Sequence, residues 1–218
     1  MSTQSTQPAS FSVRILQTAV AALFASLLVT ALAPNAAVAQ TQGDNSPSQQ
    51  DKAMHYSLYY ENLKNENFAD ARPDLRWILD HAPGFPKNDD RNYERAVELY
   101  AGLAERAEDE NQQRAYIDTA ATILRTAPEK MEAAGLSYDK YEWEIEKGRF
   151  LQIHGDIVPE SVEGLKTAPY HYEKAFGLAP ERIDPYFINQ VIQGYAEVNK
   201  QEEALSFMEQ VQAKRGDD

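Results

Sequence analysis

The side chains of this sequence that could do chemistry are few and scattered. Histidines stand at His55, His81, His154 and His171. Two of them at i and i+4 on one helix would offer paired imidazoles to zinc, but no two have that spacing and no HExxH string occurs. They read as surface or packing residues. Cysteine is absent, which excludes disulfides, thiolate nucleophiles and Cys-based zinc sites. No nucleophile elbow, Walker loop or GxGxxG is present. Asp89 and Asp90, in the loop 86–92, could attract a cation, yet an EF-hand alternates its ligands around a central glycine, and here Arg91 follows at once. The pair reads instead as a solvated loop, or as a cap for a helix starting near Asn92. Glu142, Glu144 and Glu146 fall at i, i+2 and i+4, a spacing that does not place all three on one helix face, so no paired-carboxylate site is assigned. Arg215-Gly216-Asp217 matches an adhesion tripeptide, but no loop constrains it and it reads as chance. No catalytic residue, metal ligand or cofactor site emerges, and the expectation is a binding protein, not an enzyme.

The composition narrows the partners. Of 218 residues 43% are hydrophobic, enough for a packed core, and the net charge is −13. Residues 40–218 hold 20 of the 21 basic and all 34 acidic side chains, a net charge of −14. Phosphate contacts need clustered lysine and arginine, so nucleic acid and anionic membranes are not expected partners. An acidic surface is well solvated and compatible with a basic partner.

The first 39 residues read as an address. Arg14 precedes an apolar run over residues 15–33, and Pro34 with Asn35 breaks any helix there. Ala37-Val38-Ala39 then forms a small-x-small exit resembling a signal-peptidase site, which predicts a signal peptide over 1–39 and a mature terminus at Gln40. The run is nearly long enough to span a bilayer, so an uncleaved anchor is the alternative, and it is the only membrane contact expected. Residues 40–51 contain no large apolar side chain and read as a flexible linker. The folded part is expected from Lys52 onward.

From there the pattern is helical, with breakers at Pro83-Gly84, Pro128, Pro159, Pro180 and Pro185. Over residues 53–83, Leu58, Tyr59 and Leu63 mark one helix, Asn65-Glu66-Asn67 a turn, and Phe68, Ala71, Leu75, Ile78 and Leu79 a second helix closed by Pro83. Pro73 is expected in the first turn of that second helix. A second hairpin is predicted over 92–128, turning at Glu108-Asp109-Glu110-Asn111. A third has its first helix over 141–153, Gly155-Asp156 at the turn, and an insertion before Ala168. A fourth runs through residues 186–198, turns at Asn199-Lys200-Gln201, and resumes with Ala204, Leu205, Met208 and Val211. Each hairpin pairs bulky residues with a small residue where helices cross. The arrangement resembles the tetratricopeptide repeat over residues 52–218, most clearly at 53–83 and 186–212. The closing prolines lie 45 and 52 residues apart, wider than the repeat's usual period of about 34.

The resemblance implies an all-α fold of about four hairpins stacked in a short right-handed superhelix, with a concave face lined by the first helix of each hairpin. That face commonly holds an extended peptide or a partner's helix. Carried over at a spacing of four, the inward positions are Tyr56 and Tyr60, Val97 and Ala101, Ile145 and Arg149, and Asn189 and Gln193. Such a strip, aromatic then apolar then amide, suits a peptide backbone and side chains. It lacks the Lys and Asn set with which members of the family clamp a terminal carboxylate. Arg149 is expected to meet an acidic group of the partner or a neighbouring glutamate. The expected function is therefore an exported protein-interaction scaffold, in the periplasm or at the cell surface of a Gram-negative-type bacterium. The alternative is a structural or assembly subunit of an envelope complex.

Overall fold

The computed structural model describes residues 46–158 and 165–216. The expected signal peptide, residues 40–45 of the expected linker and Asp217 of the tripeptide lie outside them. Among the described residues the chain is all-helical: α1 (Gln49–Lys64), α2 (Phe68–His81), α3 (Arg91–Glu105), α4 (Glu110–Ala134), α5 (Lys140–His154), α6 (Ala168–Leu178), α7 (Pro185–Glu197) and α8 (Gln201–Arg215). They form four helical hairpins, and their extensive contacts join chain neighbours, within a hairpin or from one hairpin to the next. No helix among the described residues is long and apolar enough to cross a membrane.

Helix α1 starts earlier than expected, inside the span read as linker. The hydroxyl of Ser48 accepts from the Asp51 N–H at 3.1 Å, and the Asp51 carboxylate accepts from the Ser48 N–H at 3.3 Å. This capping box satisfies two helix-terminal donors with polar side chains alone, so the absence of apolar residues did not prevent a helix.

Two prolines behave differently from expectation. Pro73 is not in the first turn of α2 but one turn further in, since the helix begins at Phe68. Its ring removes the donor to the Ala69 carbonyl, which lies on an exposed stretch of helix that solvent can reach. Pro128 does not close the second hairpin; α4 runs through it to Ala134, and Gly135 ends the helix at φ 65°. A mid-helix proline costs about 3 kcal/mol. Ala127 and Met131, on either side of it, are both fully buried in the core cluster that joins α4 to Tyr93 of α3 and Trp143 and Phe150 of α5, and burial of a side chain the size of Met contributes roughly 1.5–3 kcal/mol. Extending the helix therefore offsets the proline.

The core is a succession of three clusters along the chain. Tyr59, Leu63, Ala71, Leu75, Ile78, Ala96 and Leu99 join α1, α2 and α3. Tyr93, Ile117, Leu124, Met131, Trp143 and Phe150 join α3, α4 and α5. Tyr141, Ile145, Tyr172, Phe176, Ile188, Val191 and Phe207 join α5 to α8. Ala71 is fully buried, and Ala204 nearly so. Gly148 allows the closest approach: a Cβ there would overlap the ring of Tyr172 on α6.

Candidate functional site

Consecutive hairpins are tied by buried polar side chains. Asn92, at the start of α3, donates to the carbonyls of Pro83 and Phe85, each at 2.7 Å, and accepts from the Tyr59 hydroxyl. Arg95 donates to the hydroxyls of Tyr59 at 2.9 Å and Tyr56 at 3.1 Å. Burial pushes the Tyr59 hydroxyl up to about 12, against the opposing pull of Arg95. The Arg95 guanidinium also lies 4.7 Å from the centre of the Tyr60 ring, and Tyr56 and Tyr60 stack at 5.8 Å with nearly parallel rings.

On the far side of α5, Glu144 is the hub of a second knot. Its Oε1 accepts from Lys147 Nζ at 2.9 Å and Lys174 Nζ at 3.0 Å, and its Oε2 from His171 Nδ1 at 2.7 Å. The Lys166 N–H points at His171 Nε2 at 3.4 Å, which leaves the proton of a neutral ring on Nδ1. Burial pushes Glu144 up, but the hydrogen bonds from His171 and Lys147, with the lysine charges, outweigh it and hold the carboxyl at about 2. This cluster fastens α6 to α5. No buried side-chain nitrogen or oxygen among the described residues lacks a partner, so no orphaned polar group waits for a ligand inside the fold.

A groove of about 400 Å³ lies between α3 and α5, lined by Glu94, Val97, Glu98, Leu124, Glu142, Trp143 and Glu146. Glu94 and Glu98 are four apart on α3, and Glu142 and Glu146 are four apart on α5. Each pair thus shares one face of its helix. Between the walls, Val97, Leu124 and Trp143 make an apolar floor. Trp143 is fixed because its indole N–H donates to Asp90 Oδ2 at 2.9 Å. That bond replaces the expected role of Asp90: it occupies the cap position of α3 but makes no side-chain capping bond. Asp89 turns to Arg91, at 3.2 Å. Glu142 pairs with Arg182 and Glu146 with Arg149, at 2.7 and 2.8 Å. Among the described residues neither Glu94 nor Glu98 has an ion pair. Both are exposed, yet partial desolvation by the groove raises both, helped at Glu94 by Asp90, Glu146 and Asp89, and opposed at Glu94 by Arg91 and at Glu98 by Arg95.

Comparison with protein-family models, curated proteins and solved structures finds no match. The geometry therefore stands alone.

Of the eight positions expected along an inner strip, only Val97 lines this groove. Ala101, one turn on, is half-buried. Tyr56 is half-buried and Tyr60 38% exposed, and both are engaged by Arg95. Asn189 and Gln193 are exposed on α7. Arg149 is exposed, bonded to Glu146 and 5.3 Å from the centre of the Phe187 ring, so it meets the neighbouring glutamate. Ile145 is a correction: it is 1% exposed and sits in the α5–α8 core. Helix α5 packs on α4 and α6 and supplies residues to two core clusters, so its apolar residues do not mark a single face. Its groove face is instead the pair Glu142 and Glu146, which the alternating glutamate run concealed because Glu144 points the other way into the core. The signal was available as two i, i+4 glutamate pairs, one in each hairpin's first helix.

Proposed function

We propose that this chain is a protein-interaction scaffold of tetratricopeptide-like architecture, its hairpins stacked into a short right-handed superhelix, and that it holds a segment of a partner polypeptide in the groove between α3 and α5. The single observation that carries this reading is the groove itself. Its walls come from the first helices of two successive hairpins, and its apolar floor is formed by half-buried Val97 with buried Leu124 and Trp143. A few polar groups around an apolar floor are what orients a ligand without chemistry on it. The neighbour-to-neighbour packing and the fully buried Ala71 accord with the repeat reading. Export belongs to the same proposal, on the strength of Ala37-Val38-Ala39. A photo-crosslinking residue placed at Glu98, with a second placed at exposed Glu129 on α4, tests the scaffold. One defined protein captured in cells from position 98 alone is the expected result; equal capture from both positions sinks the reading. Protein sequencing of the envelope fraction tests export and is expected to begin at Gln40.

One observation favours assembly into a fixed complex. Helix α8 leaves Leu205 60% and Met208 48% exposed, large apolar side chains of the kind that mark a protein–protein contact. Under that reading the captured protein co-purifies with the chain in constant ratio through gel filtration.

A further inference from the structure

The four walls of the groove restrict what can fill it. All four are glutamates, and they face one another across Val97, Leu124 and Trp143. Two of the charges are offset from within: Arg182 sits on Glu142 and Arg149 on Glu146. Both guanidiniums are bonded on the α5 side, which leaves the α3 wall, Glu94 and Glu98, with no ion pair among the described residues. Desolvation in the groove holds both carboxyls above their usual range, outweighing the nearby charges of Arg91 at Glu94 and Arg95 at Glu98. An apolar or acidic occupant would bury those charges unpaired, which is costly. Lysine and arginine match both parts of the surface, because their methylene stems cover apolar area while the charged head stays with the carboxylates. The described residues hold no group of three or more His, Asp or Glu able to bind a metal ion, so a cation on an organic stem fits better than a bare one.

We propose that the groove between α3 and α5 recognises a basic polypeptide segment, seating a lysine or arginine of the partner with its stem on Val97, Leu124 and Trp143 and its charge between Glu94 and Glu98 and the α5 wall. This rests on the scaffold reading above and adds the chemistry of the partner. Glu94 and Glu98 set specificity against acidic segments, and the apolar floor sets it against free cations. An exposed net charge of −13 would attract any basic chain weakly and over a distance; the groove adds a local, saturable site.

The test uses the full chain and a short fluorescein-labelled peptide of alternating lysine and leucine, read by fluorescence anisotropy. Comparison probes are the same peptide with glutamate for lysine, and magnesium ion, a cation without a stem, as competitor. The expected result is saturable binding of the basic peptide and none of the acidic one. Glu94→Gln with Glu98→Gln should weaken binding about tenfold, as for loss of two charge-assisted contacts, while Glu202→Gln with Glu203→Gln, an equal change of net charge on α8, leaves it within about twofold. Val97→Ser should weaken it without changing the net charge. Equal losses from the α3 and α8 variants would reduce the binding to bulk charge and overturn the proposal. Magnesium displacing the peptide at equal concentration would do the same, since the floor would then contribute nothing. If the crosslinker at position 98 captures a partner whose touching segment is acidic or wholly apolar, the basic specificity is wrong and the scaffold reading survives. If it captures nothing beyond what position 129 does, both fall.

Discussion

Neutralising Glu144 should cost most of its stabilisation at neutral pH and almost none in acid. The carboxylate is 5% exposed and accepts from Lys147, Lys174 and His171. Its hydrogen bonds lower it from the ordinary 4.5 to about 2 despite burial. At about 1.4 kcal/mol per pH unit, that difference corresponds to about 3 kcal/mol. The folded-state value lies below the unfolded one, so this stabilisation is present above pH 4.5 and is lost as pH falls toward 2. Glu144→Gln keeps the shape and one acceptor but removes the charge, and leaves Lys147, itself 8% exposed, without its counter-ion. Urea denaturation of the full chain, followed by circular dichroism at steps from neutral pH into acid, should show a gap of about 3 kcal/mol between wild type and variant near pH 7. The gap should close as pH approaches the folded-state value. The other carboxylates titrate in both proteins and cancel in the difference. Glu132→Gln is the comparison: Lys140 and Tyr138 hold that carboxyl low by hydrogen bonds, but on the open surface, where solvent screening leaves little effect. A gap that stays constant with pH, or one no larger than that of Glu132→Gln, would refute the account of this cluster.

Three further substitutions probe the packing. Ala71→Leu puts a large side chain into a fully buried position between α1 and α2, and a thermal melt should register overpacking of roughly 1–3 kcal/mol. Gly148→Ala gains helix propensity of about 1 kcal/mol but drives a methyl into the Tyr172 ring, so the melting temperature should fall rather than rise. Tyr56→Ala with Tyr60→Ala removes the stacked pair and its contact with Arg95; stability should drop by about 1–2 kcal/mol, while binding of the basic peptide in the α3–α5 groove stays unchanged.

Helices and turns were legible wherever polar breaks and amphipathic faces coincided. The Asn65-Glu66-Asn67 and Asn199-Lys200 turns fall between helices as the spacing predicts, and each places a non-glycine residue, Glu66 or Asn199, at positive φ. Pro83 and Pro180 each lie just past a helix end. Pro128 misled because its cost is local and its compensation is not: Ala127 and Met131 bury against residues a proline-based rule does not weigh. The groove was less legible. A register extrapolated from α1 carried Ile145 to the inner face, whereas packing on α4 and α6 turns that residue into the core. Glu144 hid the glutamate pair beside it, because its partners on α6, His171 and Lys174, show which way it points. Trp143 gave no sequence sign of its bond to Asp90, which spans 53 residues.

That the extensive helix–helix contacts join chain neighbours has a consequence in time. Each hairpin finds its partner surface in the next stretch of chain, so few long loops must close before burial begins, and the entropy of ordering is met in small local steps. Such a chain can start folding at any hairpin and propagate in either direction as it emerges from a ribosome or a pore. The same rule shows where damage travels: a fault in α7 or α8 reaches the α3–α5 groove through α5, because Tyr141 and Ile145 share a core cluster with Ile188 and Phe207, whereas the α1–α2 hairpin keeps its own cluster with α3.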